Sequence, residues 1–209
     1  MAEMNPVSRF FVNLSSSRRS ARFANWILKE TSIPSTARCL EVGCGNGHLA
    51  VRILEEFRPA QYVATDFDPR QVEGARRTVE KRYSNHPPSG LTLRTADMLD
   101  LPEPPSSFDV VLAFVAIHHA SPTHQDFSRI PQALSEFDRV LRPGGRLIYG
   151  EILHKDAIRK WLTDHGFTIE RIQRRWRVES VVARKPNAPV EVVSAPPVPI
   201  PRSASSNRQ

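Results

Sequence analysis

Cysteine is nearly absent. The chain has two in 209 residues, Cys39 and Cys44, too close together to staple a fold and matching no paired metal-knuckle pattern. A disulfide scaffold is excluded and no metal site is expected. Long apolar runs are also missing: none approaches the roughly 20 residues that a membrane-spanning helix needs. Met1–Phe11 lacks the basic region and apolar stretch of a secretory signal, so the sequence places the protein in the cytoplasm. Glycine is scarce, nine residues against eighteen prolines, and six of those prolines fall between Pro186 and Pro201.

Hydrophobic residues make up 40% and charged residues 24%, the balance of one ordinary globular domain. The net charge of +7 is unevenly placed. Residues 1–35 carry five basic against two acidic side chains, and 155–185 carry nine against four. Residues 36–154 carry thirteen against fifteen, so the middle is slightly acidic. That middle suits a small-molecule site better than a groove that tracks phosphates. The organisation expected is an N-terminal helical lid or cap over 1–35, a central domain over 36–184, and a Pro/Ser-rich disordered tail over 185–209.

Short apolar runs alternate with segments of helical period, the pattern of a mostly parallel sheet with helices on both faces. The strands expected are Arg38–Val42, Gln61–Asp66, Leu91–Ala96, Phe108–Phe114 and Gly145–Gly150. Two more runs, Phe167–Gln173 and Trp176–Ala183, are separated only by Arg174 and Arg175. So short a link holds no crossover helix, so this pair is expected as an antiparallel edge hairpin. The fold class is therefore α/β: a doubly wound, mostly parallel seven-stranded sheet. Helices are expected over Ser17–Glu30, along the Leu49, Ile53, Phe57 stripe, along Val72, Ala75, Val79, along Ile130 to Leu141, and around Ile158 to His165.

Chemistry concentrates in Cys39-Leu-Glu-Val-Gly-Cys-Gly-Asn-Gly-His-Leu-Ala50, a buried strand that enters a glycine-rich turn and then a helix. Gly43, Gly45 and Gly47 remove side chains where the backbone turns sharply and a ligand must approach it. The dinucleotide fingerprint G-x-G-x-x-G fails, because its third glycine falls on His48. The phosphate-loop pattern fails too, since no Gly-Lys-Ser/Thr follows.

The spacing Glu41-x-Gly43-x-Gly45-x-Gly47 resembles the first motif of the class I S-adenosylmethionine-dependent methyltransferases. Later features follow in that family's order: Tyr62-Val-Ala-Thr-Asp-Phe-Asp-Pro69, Asp97-Met98, Phe108 through His119, and Leu141-Arg-Pro-Gly-Gly-Arg-Leu147. The resemblance spans about residues 36–184 and implies a Rossmann-like methyltransferase that uses S-adenosyl-L-methionine and releases S-adenosyl-L-homocysteine. It implies ribose binding by Asp66, adenine contact by Phe67 and Met98, and acceptance of the adenine amine by Asp97. Glu41, Gly43, Cys44, Gly45, Ala113 and Phe114 are expected around the methionine part.

A base is needed only where the acceptor must lose a proton. The candidates are His119, His118 and Glu151, expected at the carboxyl ends of the fourth and fifth strands. Asp109 begins its strand and is expected to be structural. Ala113-Phe-Val-Ala116 replaces the Asn/Asp-Pro-Pro-Tyr/Phe segment of the family's DNA-adenine and glutamine enzymes, which argues against those acceptors. The acceptor expected is a small molecule. An RNA methyltransferase remains open if the basic ends form one surface, as does a cofactor-binding regulatory protein without transfer activity. Phe10-Phe-Val-Asn-Leu14 with Arg18, Arg19 and Arg22 reads either as a lid or as a helix covering the sheet. Arg171, Arg174, Arg175 and Arg177 read either as solvated edge charges or as contacts to an anion.

Overall fold

The structure is a computed structural model that describes residues 20–27, 29–84, 86–123, 126–175 and 177–187. Its strands are β1 (Arg38–Val42), β2 (Gln61–Asp66), β3 (Leu91–Thr95), β4 (Phe108–Phe114), β5 (Leu141–Glu151), β6 (Thr168–Arg175) and β7 (Val178–Arg184). Helix α1 covers described residues 20–27 and 29–30. It is followed by α2 (His48–Glu56), α3 (Pro69–Arg82), α4 (Ile130–Val140) and α5 (Lys155–Asp164), with a 3₁₀ turn at Ile117–Ala120.

All seven strands form one sheet in the order β3-β2-β1-β4-β5-β7-β6. The first five are parallel. β7 enters antiparallel beside β5, and β6 pairs antiparallel with β7. β6 therefore runs in the direction of β5, and its carboxyl end lies at the same end of the sheet. The chain leaves β1 toward β2 and β3, then returns to place β4 on the other side of β1. Such a reversal opens a crevice at the carboxyl ends of β1 and β4.

Alternation along the strands sends side chains to two cores. Leu40, Val42, Val111, Ala113 and Leu147 pack under α4 and α5. Cys39, Tyr62, Ala64, Leu112 and Ile148 pack under α1, α2 and α3. Burial of an aliphatic side chain such as Ile27, Ile53 or Ile130 contributes ~1.5–3 kcal/mol each, so the helices are held mainly by these stripes. α3 also has a strong start: the Asp68 carboxylate accepts the Arg70 N–H at 2.9 Å, and Pro69 occupies the first turn.

The described part of the N-terminal segment packs directly on the sheet. Phe23 stacks on Phe114 with centroids 4.5 Å apart, and Ile33 and Ala37 sit in the same core. α1 thus runs from the carboxyl end of the strands toward the amino end. Phe10–Leu14, Arg18, Arg19, most of the Pro-rich tail, His124 and Trp176 lie outside the described residues.

Several boundaries differ from those expected. β5 begins at Leu141 rather than Gly145, and β3 ends at Thr95 rather than Ala96. β6 extends through Arg174 and Arg175, which were expected as the link, and β7 begins at Val178.

At the amino end, Asp109 accepts the Arg38 N–H at 2.6 Å and pairs with Arg142 at 2.7 Å. It fastens β1, β4 and β5 at their feet, the structural part expected for it.

Candidate functional site

The glycine loop follows β1 at the point where the sheet order reverses. Gly43, Gly45 and Gly47 all have left-handed backbones, with φ of 73°, 52° and 73°. A Cβ on Gly43 would stand 2.4 Å from Ala116 Cβ, so this glycine lets the loop lie against the segment after β4. A Cβ on Gly45 would meet nothing within 4 Å. The loop backbone at Gly45 is therefore open to a ligand.

Asp66, the last residue of β2, braces the loop. Its carboxylate accepts the Gly45 N–H at 2.9 Å and the Asp68 N–H at 3.0 Å. Burial raises the Asp66 pKa, the main-chain N–H groups of Asp68, Gly45 and Phe67 work against that rise, and the Asp68 charge adds to it. The carboxylate keeps acceptor capacity for a ligand's hydroxyl. Phe67 follows with 46% of its surface exposed, an aromatic side chain partly open to a ligand. Asp97 caps its own loop by accepting the Leu99 N–H at 3.0 Å. Met98 is buried in the α4 and α5 core and forms a wall beneath that loop rather than an exposed contact.

Glu41 is 2% exposed, and its carboxyl accepts the Tyr62 hydroxyl at 2.8 Å. No cation pairs with it among the described residues. Burial pushes its pKa to about 8; the Tyr62 hydrogen bond works against this and nearby Asp66 adds to it. Tyr62 is a site residue that the sequence reading missed, since in a strand pattern it registers only as an apolar position. Cys44 is also buried, and its thiol pKa lies well above the ordinary value, first through burial and then through Glu41 and Asp66. That disposes of a thiolate nucleophile. The Cys44 main chain instead donates to Thr65 O at 2.8 Å and closes the loop on β2.

On the other side of the crevice stands a buried pair. His118 Nδ1 lies 2.8 Å from Glu151 Oε1, and the His118 N–H reaches Glu151 Oε2 at 3.1 Å. The Ile152 N–H donates to the same carboxylate at 2.9 Å. The main-chain N–H groups of His118 and Ile152 and the His118 ring all meet this carboxylate, which fixes the orientation of the imidazole. His119 is half-buried, with its ring 4.1 Å from that of His118. The structure thus brings His118 and Glu151 together and sets His119 beside them.

Between the two sides, Val115 holds φ 54° while its N–H donates to Gly150 O at 2.7 Å. A β-branched residue in the left-handed region is strained, and such strain collects at functional loops. A depression of about 470 Å³ lies at the opposite end of the sheet, lined by Arg38, Asp109, Arg142, Arg146 and Arg184. The Arg142, Arg146 and Arg184 guanidinium groups there already answer Asp109 and Glu170, and no carboxyl end of a parallel strand reaches it. The crevice beside the glycine loop is the better candidate, because open backbone, carboxylates and an exposed aromatic converge there.

Residues 40–149 match the family described as methyltransferase domain. Among curated proteins, the chain is 33% identical over 140 residues to a phthiotriol/phenolphthiotriol dimycocerosates methyltransferase of Mycobacterium leprae, covering 67% of this chain and 46% of that one. It is 35% identical over 124 residues to a fatty-acid O-methyltransferase of Mycolicibacterium smegmatis, covering 59% and 40%. The chain thus spans less than half the length of these relatives. A solved S-adenosylmethionine-dependent methyltransferase from Aquifex aeolicus shares the fold, with TM-score 0.69 and 17% identity over 87% of this chain and 99% of that one.

Proposed function

The chain belongs to the methyltransferase-domain family, and from that membership we propose that it moves the methyl group of S-adenosyl-L-methionine to a small-molecule acceptor of lipid character. The observation that carries this reading is the open Gly45 backbone braced by a strand-end carboxylate placed to accept from a ribose. The acceptor class follows the printed names of the relatives, one of which methylates a fatty acid.

Asp66 holds the ribose, and Phe67 covers the adenine face. The Asp97 oxygen not bonded to Leu99 takes the adenine amine, over the floor made by Met98. Glu41 faces the amino-acid end, with the main chain of Gly43, Cys44 and Gly45 and the end of β4 at Ala113 and Phe114 around it. When bound, the cofactor supplies a methyl already activated by its sulfonium charge. The protein's task is to hold donor and acceptor in line and exclude water, for which orientation contributes up to roughly 7–11 kcal/mol. His118, oriented by Glu151, and His119 at the more open position are the candidates to take a proton where the acceptor must lose one.

Calorimetry with S-adenosyl-L-homocysteine, with a nicotinamide dinucleotide as control, tests the cofactor. Tritiated S-adenosyl-L-methionine incubated with a lipid extract, and separately with RNA, tests the acceptor. Label in an extractable lipid supports the reading. Label in RNA, or binding of the dinucleotide alone, overturns it, and cofactor binding without any transfer points to a regulatory protein.

A further inference from the structure

The β6–β7 hairpin brings a group of cations to the rim of the sheet's carboxyl end. Glu151 on β5 is the register partner of Glu179 on β7, and Arg174 on β6 is the partner of Glu179 in turn. The hairpin tip, Arg174, Arg175 and Arg177, therefore stands at the same end as the candidate site. Arg22, exposed in the first described turn of α1, belongs to this end too, because its neighbour Phe23 stacks on the last residue of β4.

The tip is fixed in place. Glu179 is buried and accepts Arg174 Nε and Arg159 Nε, each at 2.7 Å. Lys155 Nζ reaches Arg177 O at 3.5 Å and ties the turn to the start of α5. Two nearby acids are answered, Glu179 by these two arginines and Asp156 by Arg159, while Glu151 is fully buried. Among the described residues, Arg22, Arg175 and Arg177 have no ion-pair partner. Three unmatched guanidinium groups gathered at one rim form a surface suited to anionic headgroups.

We propose that this rim docks the protein on an anionic lipid surface with the site's crevice facing the bilayer. The proposal rests on the reading of the acceptor as lipid-like, since such a molecule resides in that bilayer. Charge placement favours a membrane over RNA. The cations at the amino end, Arg146 and Arg184, lie a strand's length away, roughly 25 Å along β6, and both pair with Glu170. The basic groups thus form a terminal cluster rather than a continuous track.

The test is co-sedimentation with phosphatidylcholine vesicles, with and without phosphatidylglycerol, for the full chain and for the Arg175→Glu/Arg177→Glu variant. Binding should require phosphatidylglycerol, weaken steeply with added salt, and fall by about tenfold or more in the variant. Equal binding to neutral vesicles, or an unchanged variant, overturns the proposal. So does displacement from the vesicles by a short single-stranded oligoribonucleotide that binds more tightly. Calorimetry with S-adenosyl-L-homocysteine should give the same affinity for both proteins. It reports on the cofactor reading alone, so failure of that reading shows as lost ligand binding with vesicle binding intact.

Discussion

Glu41 offers the sharpest test, because its protonation should change when the cofactor arrives. Burial raises its pKa from 4.5 to about 8, a preference for the neutral acid worth about 5 kcal/mol at most. At neutral pH roughly nine in ten Glu41 side chains of the free protein are therefore protonated. An ammonium group entering beside this buried carboxyl favours the ionised form and expels the proton. Binding of S-adenosyl-L-homocysteine at pH 7 should then release close to one proton. Its affinity should rise by about tenfold per pH unit up to about pH 8 and level off above. Calorimetry in buffers of different ionisation enthalpy measures the released proton directly. In Glu41→Gln, which keeps the side chain's size, the buffer dependence should vanish. A wild-type binding enthalpy independent of buffer would refute the reasoning, as would buffer dependence that persists in the variant. The same group shapes the stability of the ligand-free protein. The folded state holds this proton more tightly than the unfolded chain, so its contribution is full below pH 4.5 and is lost as pH rises through about 8. Glu41→Gln should remove that slope from urea midpoints taken across the window.

Gly43→Ala forces a Cβ to within 2.4 Å of Ala116 Cβ at a left-handed φ, and urea unfolding should show a loss of about 2–4 kcal/mol; a wild-type midpoint would contradict the packing described. Val115→Gly relieves a strained φ of 54°, so thermal unfolding should shift upward by an amount equivalent to about 1 kcal/mol, while methyl transfer slows as the crevice loosens. A less stable variant would show that the side chain's contacts outweigh the strain. Glu151→Gln should leave S-adenosyl-L-homocysteine affinity intact while lowering transfer by about a hundredfold. Undiminished turnover would remove the His118–Glu151 pair from the chemistry.

The centre of the parallel half is legible in the sequence because β1, β2 and β4 are buried on both faces and read as apolar runs. β1, β2 and β4 begin and end at the expected residues. The hairpin is harder. β6 is largely exposed and its last residues are arginines, so hydrophobicity cannot mark where it stops. β5 begins directly after α4 through Leu141-Arg-Pro-Gly-Gly, a segment whose composition signals a turn, yet Leu141 pairs with Phe108. In the site, the glycine loop and Asp66 were visible because spacing alone carries their signal. The His118–Glu151 pair joins residues 33 positions apart, and the Tyr62–Glu41 bond joins residues 21 apart. Both partnerships arise only when strands come into register. Their chemical types were readable beforehand, but their pairing was not.

Asp109 lies far from the crevice yet bears on how such a protein diversifies. One carboxylate receives a main-chain hydrogen from β1 and a guanidinium from β5 while sitting on β4. Central strand alignment is thereby secured from below, independently of the loops above. Insertions or replacements in those upper loops can accumulate without letting the strands slip, so new acceptors become reachable by rebuilding the top of a frame whose foundation stays locked.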